Sequence, residues 1–432
     1  MKILRTTDRN FRYDFGKVFR KNLEVPEGIQ KLVDNILDDI KRIGDQALHK
    51  YTHKFDFFDL TGKGMEVSAK EINNACKEIT PEDIKVLEIT AERIDSYYRS
   101  QKVEKTALKK SDVDIRVVQY PLESVGIYVP GGKAGYPSSV LMTAIPAAVA
   151  GVNDIIMCSP WHSGEFNPAC LVAAKIAGVK RIFRIGGAQA IAAMAYGTKT
   201  VPKVDKIIGP GNIYVTWAKK MVFGEVDIDM IAGPSEIFIL GDGTVSPAYV
   251  ASDLLSQAEH DELASSLLIT TNSNYAIRVE GEVRKQVLRL RRKNIANESI
   301  KKHGLIVLVR NLKEGIDLIN ELAPQILEIC TRDAEKIVSK IKHVGAILVG
   351  PHTPGSVMDY IAGPSHVLPT NGSARFFSGY EVSDFIKSIP VIRFGEKALH
   401  KLGPTAMHLA NLEGMTGHAS AIELRLKDLP ES

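Results

Sequence analysis

From residue 125 onward, short β-branched runs alternate with helical stretches rich in small residues, and this alternation limits the possible folds more than any other feature of the chain. Residues 125–129, 155–158 and 182–185 read as strands, and residues 138–152 and 169–179 between them read as helices. Strands joined by crossover helices build a parallel sheet. A second series follows, with strand candidates at 237–240, 267–271, 306–309 and 346–349 and a charged amphipathic helix around 280–292. The spacing predicts an α/β protein with two Rossmann-like lobes built on parallel sheets.

A chain of 432 residues exceeds one ordinary core, which agrees with two lobes and smaller appendages. Ahead of the lobes, Ile29, Leu32, Val33, Ile36, Leu37 and Ile40 recur at helical spacing, so residues 28–99 read as a helical section. The chain again reads as helical from 381 to 432 and ends in a charged stretch, 423–432, that either packs on its own lobe or crosses to a second subunit. The expected division is a helical N-terminal section, 1–122, joined to the first lobe; lobes at 123–236 and 237–380; and a small helical C-terminal arm, 381–432, at a dimer interface. Asp229-Met-Ile-Ala-Gly-Pro-Ser-Glu236 reappears as Asp359-Tyr-Ile-Ala-Gly-Pro-Ser-His366. Identity beyond the Gly-Pro favours duplication over two coincident turns.

The charge balance, 55 basic against 51 acidic residues, produces no broad field for nucleic acid or an anionic membrane, so small-molecule chemistry is expected. Cys76, Cys158, Cys170 and Cys330 stand far apart, which suggests neither a disulfide framework nor a thiolate zinc site and points to a reducing compartment. Residues 1–22 lack the apolar stretch of a secretory signal, and the longest apolar segment, 140–152, is interrupted by Thr143 and Pro146. A cytoplasmic protein is expected.

Gln257 and His260 lie three residues apart and project from one helix face, where two ligands can converge. Imidazole is a common zinc ligand and an amide oxygen an unusual one, so the pair alone more often marks ordinary hydrogen-bonded polar residues than a metal site. Tyr128-Val-Pro-Gly-Gly-Lys133, Gly186-Gly-Ala-Gln189, Gly209-Pro-Gly-Asn212 and Ala232-Gly-Pro-Ser-Glu236 each follow a strand candidate. Such loops lie where a nucleotide binds in an open α/β sheet, although none spells Gly-x-Gly-x-x-Gly and tight turns explain them as well.

Taken together, the loops resemble the histidinol dehydrogenase family over nearly the whole chain. The matching segments are 128–132, 186–193, 204–212, 228–236, 252–260 and His366-Val-Leu-Pro-Thr370. The resemblance implies one zinc ion per subunit held by Gln257, His260, Asp359 and His418, the last reaching into the partner subunit of a homodimer. It implies a substrate set of Ser235, Glu413 and the metal ligands, with Tyr128, Gln189 and Asn212 as NAD contacts. The implied activity is oxidation of L-histidinol through L-histidinaldehyde to L-histidine, the last steps of histidine biosynthesis. Two imidazoles, an amide and one carboxylate leave the metal net positive, able to accept the amine and imidazole nitrogens of histidinol.

In one place the chain departs from the family. Family members read Ala-Pro-Glu-His-Leu-Glu where this chain reads Ala323-Pro-Gln325-Ile326-Leu327-Glu328. The Glu-His pair serves proton transfer, and neither an amide nor an alkyl group accepts a proton at neutral pH. Glu328, three residues beyond Gln325, and His366 are the candidate substitutes. Two further readings stand beside histidinol oxidation: a relative acting on another small polar alcohol, and a protein that binds metal and ligand without turnover.

Overall fold

Segments such as Glu236–Gly241, buried along their whole length, need cover on both faces, and the computed structural model shows what supplies it. It describes residues 1–19, 25–101, 107–110, 112–131, 135–164 and 166–428. Two units result, one comprising Met1–Gln101 with Leu122–Asp384 and the other Lys102–Pro121 with Phe385–Ser432.

The first unit starts with β1 (Lys2–Arg5) and a run of helices. Glu27–Ile43 buries Val33, Ile36, Leu37 and Ile40, the stripe visible in the sequence. Pro81–Arg99 begins with a reciprocal Thr80–Asp83 capping box and a proline in its first turn, two start signals that agree. Strands β2 (Ala107–Lys110) and β3 (Val113–Pro121) belong to the second unit.

Then come β4 (Ser124–Tyr128), β5 (Asp154–Cys158), β6 (Arg181–Phe183), β7 (Lys206–Ile208) and β8 (Asp227–Ile228), which form a parallel sheet in the order β6-β5-β4-β7-β8. They are followed by β9 (Glu236–Gly241), β10 (Ser265–Thr270), β11 (Gly304–Leu308), β12 (Ile326–Cys330) and β13 (Ala346–Val349). These join β1 in a six-stranded parallel sheet, β1-β11-β10-β9-β12-β13. In the second unit β14 (Ile386–Phe394) pairs antiparallel with β3, and two helices, Glu396–Leu412 and Thr416–Lys427, follow it. Among the described residues no helix is long and apolar enough to cross a membrane, and all four cysteines are free.

The two α/β lobes agree with the sequence reading, but several details differ. β1 and the helix Phe11–Val18 pack with the second sheet, where Leu4, Phe11, Phe15 and Phe19 share a core with Phe238 and Leu305. A four-residue edge strand is too short to show periodicity, and its partner lies about 300 residues away in sequence. β12 was not among the expected strands because Glu328 interrupts its apolar run. β14 occupies the start of the expected helical arm: it is largely exposed, so burial imprints no alternation on it, and pairing with β3 makes it a strand. The amphipathic helix expected around 280–292 spans Ser273–Val287.

Each sheet is anchored at its strand ends. In the first, Lys219 is buried against Asp229, and its Nζ also donates to the Gly209 carbonyl at 3.0 Å. Asp229 in turn accepts from the Gly209 N–H at 2.8 Å and the Tyr380 hydroxyl at 2.6 Å. Gly209 itself has φ +115°, and a Cβ there would stand 2.1 Å from the Tyr128 carbonyl oxygen, so only glycine fits. Lys219→Met leaves Asp229 buried without its cation, and the unfolding free energy in chemical denaturation is expected to fall by about 3–5 kcal/mol. A fall below about 1 kcal/mol would show that the pair does not anchor the loop.

Candidate functional site

The helix Pro247–Ala258 leaves β9 and runs back across the sheet, so its last turn returns to the amino ends of the strands. Gln257 sits buried in that turn, with His260 just beyond it. Ser235 immediately precedes β9 and its carbonyl accepts from Ser265 N–H at 2.9 Å. Gln325 immediately precedes β12 at the same end of the sheet. Burial holds the His260 imidazole below its ordinary pKa, and the nearby Arg292, which donates to the His260 carbonyl at 3.3 Å, acts in the same direction.

Asp359 lies on the short helix Gly355–Tyr360, which packs on Pro247–Ala258. Its backbone carbonyl lies 3.0 Å from His366 Nδ1, while His366 Nε2 lies 2.9 Å from the Ser139 hydroxyl. A carbonyl only accepts, so Nδ1 carries the proton and Nε2 accepts from Ser139. Burial pushes the His366 pKa down to about 4, which keeps the ring neutral at pH 7. Both ring nitrogens are thus engaged in positioning Asp359 and Ser139.

Glu328 is buried on β12 and accepts from the Gly355 N–H at 2.7 Å, clamping the start of the helix that carries Asp359. It faces Asp253, and burial together with that second carboxyl holds the Glu328 pKa far above the usual range. Burial raises Asp253 as well, so the pair retains a proton near neutrality. Glu328 is therefore a poor proton acceptor at pH 7.

Gln325 and Ile326 are equally committed elsewhere. The Gln325 Oε1 accepts from the Glu236 N–H at 2.8 Å, and Ile326 packs in the core with Ile237 and Leu348. Beside them is a group that the sequence reading passed over. Glu236 is 2% exposed; its Oε1 accepts from the Asn371 N–H at 3.3 Å and its Oε2 has no partner among the described residues. Burial, opposed by backbone N–H groups of Asn371 and Gln325, pushes the carboxyl up to about 7. The duplicated motif contained the signal, since Glu236 stands where its second copy has His366.

At the first sheet, the strand order reverses between β4 and β7, and their carboxyl ends form the crevice where nucleotides bind in such sheets. Tyr128 ends β4, and its hydroxyl accepts from Gly187 N–H at 3.0 Å. Gln189, 1% exposed in the first turn of the helix Gly187–Tyr196, has an Nε2 without a partner among the described residues. Asn212, after β7, caps the helix Ile213–Val222 by accepting from Tyr214 and Val215 N–H. Of the 128–133 loop, Gly132 and Lys133 lie outside the described residues.

The donor set of Gln257, His260 and Asp359 suits a divalent metal of zinc type. Among the described residues no three His, Cys, Asp or Glu form a ready-made metal cluster, because this set contains one imidazole, one carboxylate and an amide. The duplicated aspartates nevertheless differ in a telling way. Asp229 has Lys219 against it, whereas Asp359 is pushed up to about 6 by burial, with no cation or hydrogen bond acting against it among the described residues. Glu413 and His418 are placed on the second unit, exposed around the turn between Glu396–Leu412 and Thr416–Lys427.

The raised Glu328 pKa has a consequence for stability. The folded chain binds a proton there that the unfolded chain releases above roughly pH 4.3, so this contribution is present in acid and is lost as the pH rises through neutrality. Glu328→Gln should flatten that fall when unfolding free energies at pH 5 and pH 9 are compared. An unchanged slope would show that Glu328 is ionised in the folded chain.

A family model described as histidinol dehydrogenase matches residues 20–426. The histidinol dehydrogenase of Syntrophotalea carbinolica is 49% identical over 430 residues, covering 99% of this chain and 100% of that one. Its counterpart in Geobacter metallireducens is 47% identical over 430 residues, covering 99% and 98%. The crystal structure of histidinol dehydrogenase from Elizabethkingia anophelis matches with a TM-score of 0.93 at 36% identity, over 99% of this chain and 98% of that one.

Proposed function

Because this chain belongs to the histidinol dehydrogenase family, we propose that it oxidises L-histidinol through L-histidinaldehyde to L-histidine, with NAD as hydride acceptor and one zinc ion per site. The observation that carries this reading is the buried Asp359 carboxyl, which lacks an offsetting cation while sharing its helix pair with Gln257 and His260. Zinc bound there supplies positive charge that orients the amine and imidazole nitrogens of the substrate. His418 is the fourth ligand and Glu413 the acceptor for the substrate ammonium, contributed by the second unit of a partner copy in a homodimer. Ser235 completes the substrate set at the amino end of β9. We place the protein in the cytoplasm, where its free cysteines stay reduced.

The residues of the first sheet divide the work of holding NAD. Tyr128 pins the Gly187 N–H and so holds the glycine turn against the end of β4. Asn212 keeps the amino end of Ile213–Val222 in place, and that end favours the negative pyrophosphate. The free Nε2 of Gln189 is a donor for the dinucleotide.

Gln325 and Ile326 favour a second reading, in which the chain binds metal and ligand without turnover or oxidises another small polar alcohol. Activity assays and titration calorimetry separate the two. The native chain is expected to reduce NAD with histidinol, to lose on the order of 10²-fold in rate after chelation, and to recover with zinc. Histidinol binding without NAD reduction would support the second reading. Equal turnover by the native chain and by Gln325→Glu with Ile326→His would show that the family's pair is unnecessary here.

A further inference from the structure

We propose that a groove starting at the carboxyl ends of β9 and β12 binds a nucleoside monophosphate, separately from the substrate and NAD positions assigned above. The chain lays down β9, β10 and β11 in one direction and then returns to set β12 on the other side of β9, so the strand order reverses between β9 and β12. In open α/β sheets, ligands bind in the crevice beyond the carboxyl ends at such a reversal. A cleft of about 830 Å³ opens there, lined by Asp242 directly after β9 and by Thr331 directly after β12. Clefts that hold small organic ligands span about 300 to 1,000 Å³, so the size fits.

One wall is the helix Leu312–Leu322, and the other is Ala334–Val338 with the chain that continues to His343. Asn320 fixes the walls to each other: its Nδ2 donates to the Lys340 carbonyl at 2.9 Å, and its Oδ1 accepts from the Lys342 N–H at 2.7 Å. Toward the strand ends, Asp242 accepts from the Arg332 N–H at 2.9 Å and ties the end of β9 to the end of β12. The cleft is therefore preformed. Leu312, Ile316 and Ile337 give it apolar lining on which a ring can lie. Lysines supply the charge. Lys313 and Lys336 are paired with Asp317 and Asp333 at 2.7 and 2.8 Å, whereas Lys340 and Lys342, next to His343, have no ion-pair partner among the described residues. An ammonium is a point-charge binder of phosphate, so these two lysines beside an apolar wall suit a phosphate carried on an aromatic body. Ile316 and Ile337 pack with Phe238 on one face of the sheet, while Val250, Leu254 and Ala258 of the helix that carries Gln257 pack with Ile237 on the other. A ligand in the cleft thus leaves Gln257 and its neighbours free.

The test is titration calorimetry of the native chain with adenosine 5′-monophosphate, adenosine and inorganic phosphate. To separate the cleft from the crevice at β4 and β7, the titrations are repeated on Lys340→Ala with Lys342→Ala and on the conservative Lys340→Arg with Lys342→Arg, with thermal unfolding midpoints measured alongside. The native chain is expected to bind the monophosphate more tightly than adenosine or phosphate. The alanine pair should weaken that binding by about tenfold or more at an unchanged midpoint, and the arginine pair should retain it. A native chain that shows no saturable monophosphate binding overturns the proposal. So does an unchanged isotherm in the alanine pair, which would assign the nucleotide to the crevice of the first sheet. Inorganic phosphate binding as tightly as the monophosphate overturns it as well, because the apolar wall would then take no part. None of these readouts uses NAD reduction, so failure of the oxidation reading is a separate result.

Discussion

Lys219 buried against Asp229 is the interaction on which the first sheet's loops depend. Taking a carboxylate out of water is costly unless a cation, a proton or several donors offset it. Asp229 receives all the help the chain has to give: an ammonium, the Gly209 N–H and the Tyr380 hydroxyl. That saturation pins the Gly209 turn against Tyr128 and so shapes the crevice at the ends of β4 and β7.

The same constraint organises the second sheet, where the cation is missing and other solutions appear. Glu328 and Asp253 share a proton and lock β12 to the helix that carries Asp359. Glu236 has only backbone donors, and burial pushes its carboxyl up to about 7 against them. Asp359 has burial alone, and its charge is offset only if a cation arrives from outside. These five carboxyls thus divide into Asp229, Glu328 and Asp253, closed by the chain itself, and Glu236 and Asp359, which have no cation against them among the described residues. Glu236 begins β9 directly after Ser235, and Asp359 lies on the helix packed against Pro247–Ala258.

This arrangement uses the two sheets in opposite directions. Tyr128, Gln189 and Asn212 gather at the carboxyl ends of the first sheet, the usual place for a nucleotide. The polar cluster of the second sheet lies at its amino ends, because Pro247–Ala258 runs antiparallel to β9 and delivers Gln257 there. His366, on the loop that leads to Asn371, ties this cluster to Ser139 of the first lobe.

The sequence by itself determined the two parallel sheets, since strand runs apolar on both faces and separated by crossover helices admit little else. It also contained the duplicated Asp-x-Ile-Ala-Gly-Pro-Ser motif and the departure at Gln325 and Ile326, because identity and spacing are properties of the string. Only the tertiary structure decided what those residues do. The strand nature of Ile386–Phe394 and of Lys2–Arg5 arises from pairing with distant segments, which leaves no local period to read. The different fates of Asp229 and Asp359, alike in sequence, follow from whether a lysine is buried beside them. Glu236 looks like an ordinary strand residue in the string; burial and register, which join positions 89 residues apart, place it beside Gln325.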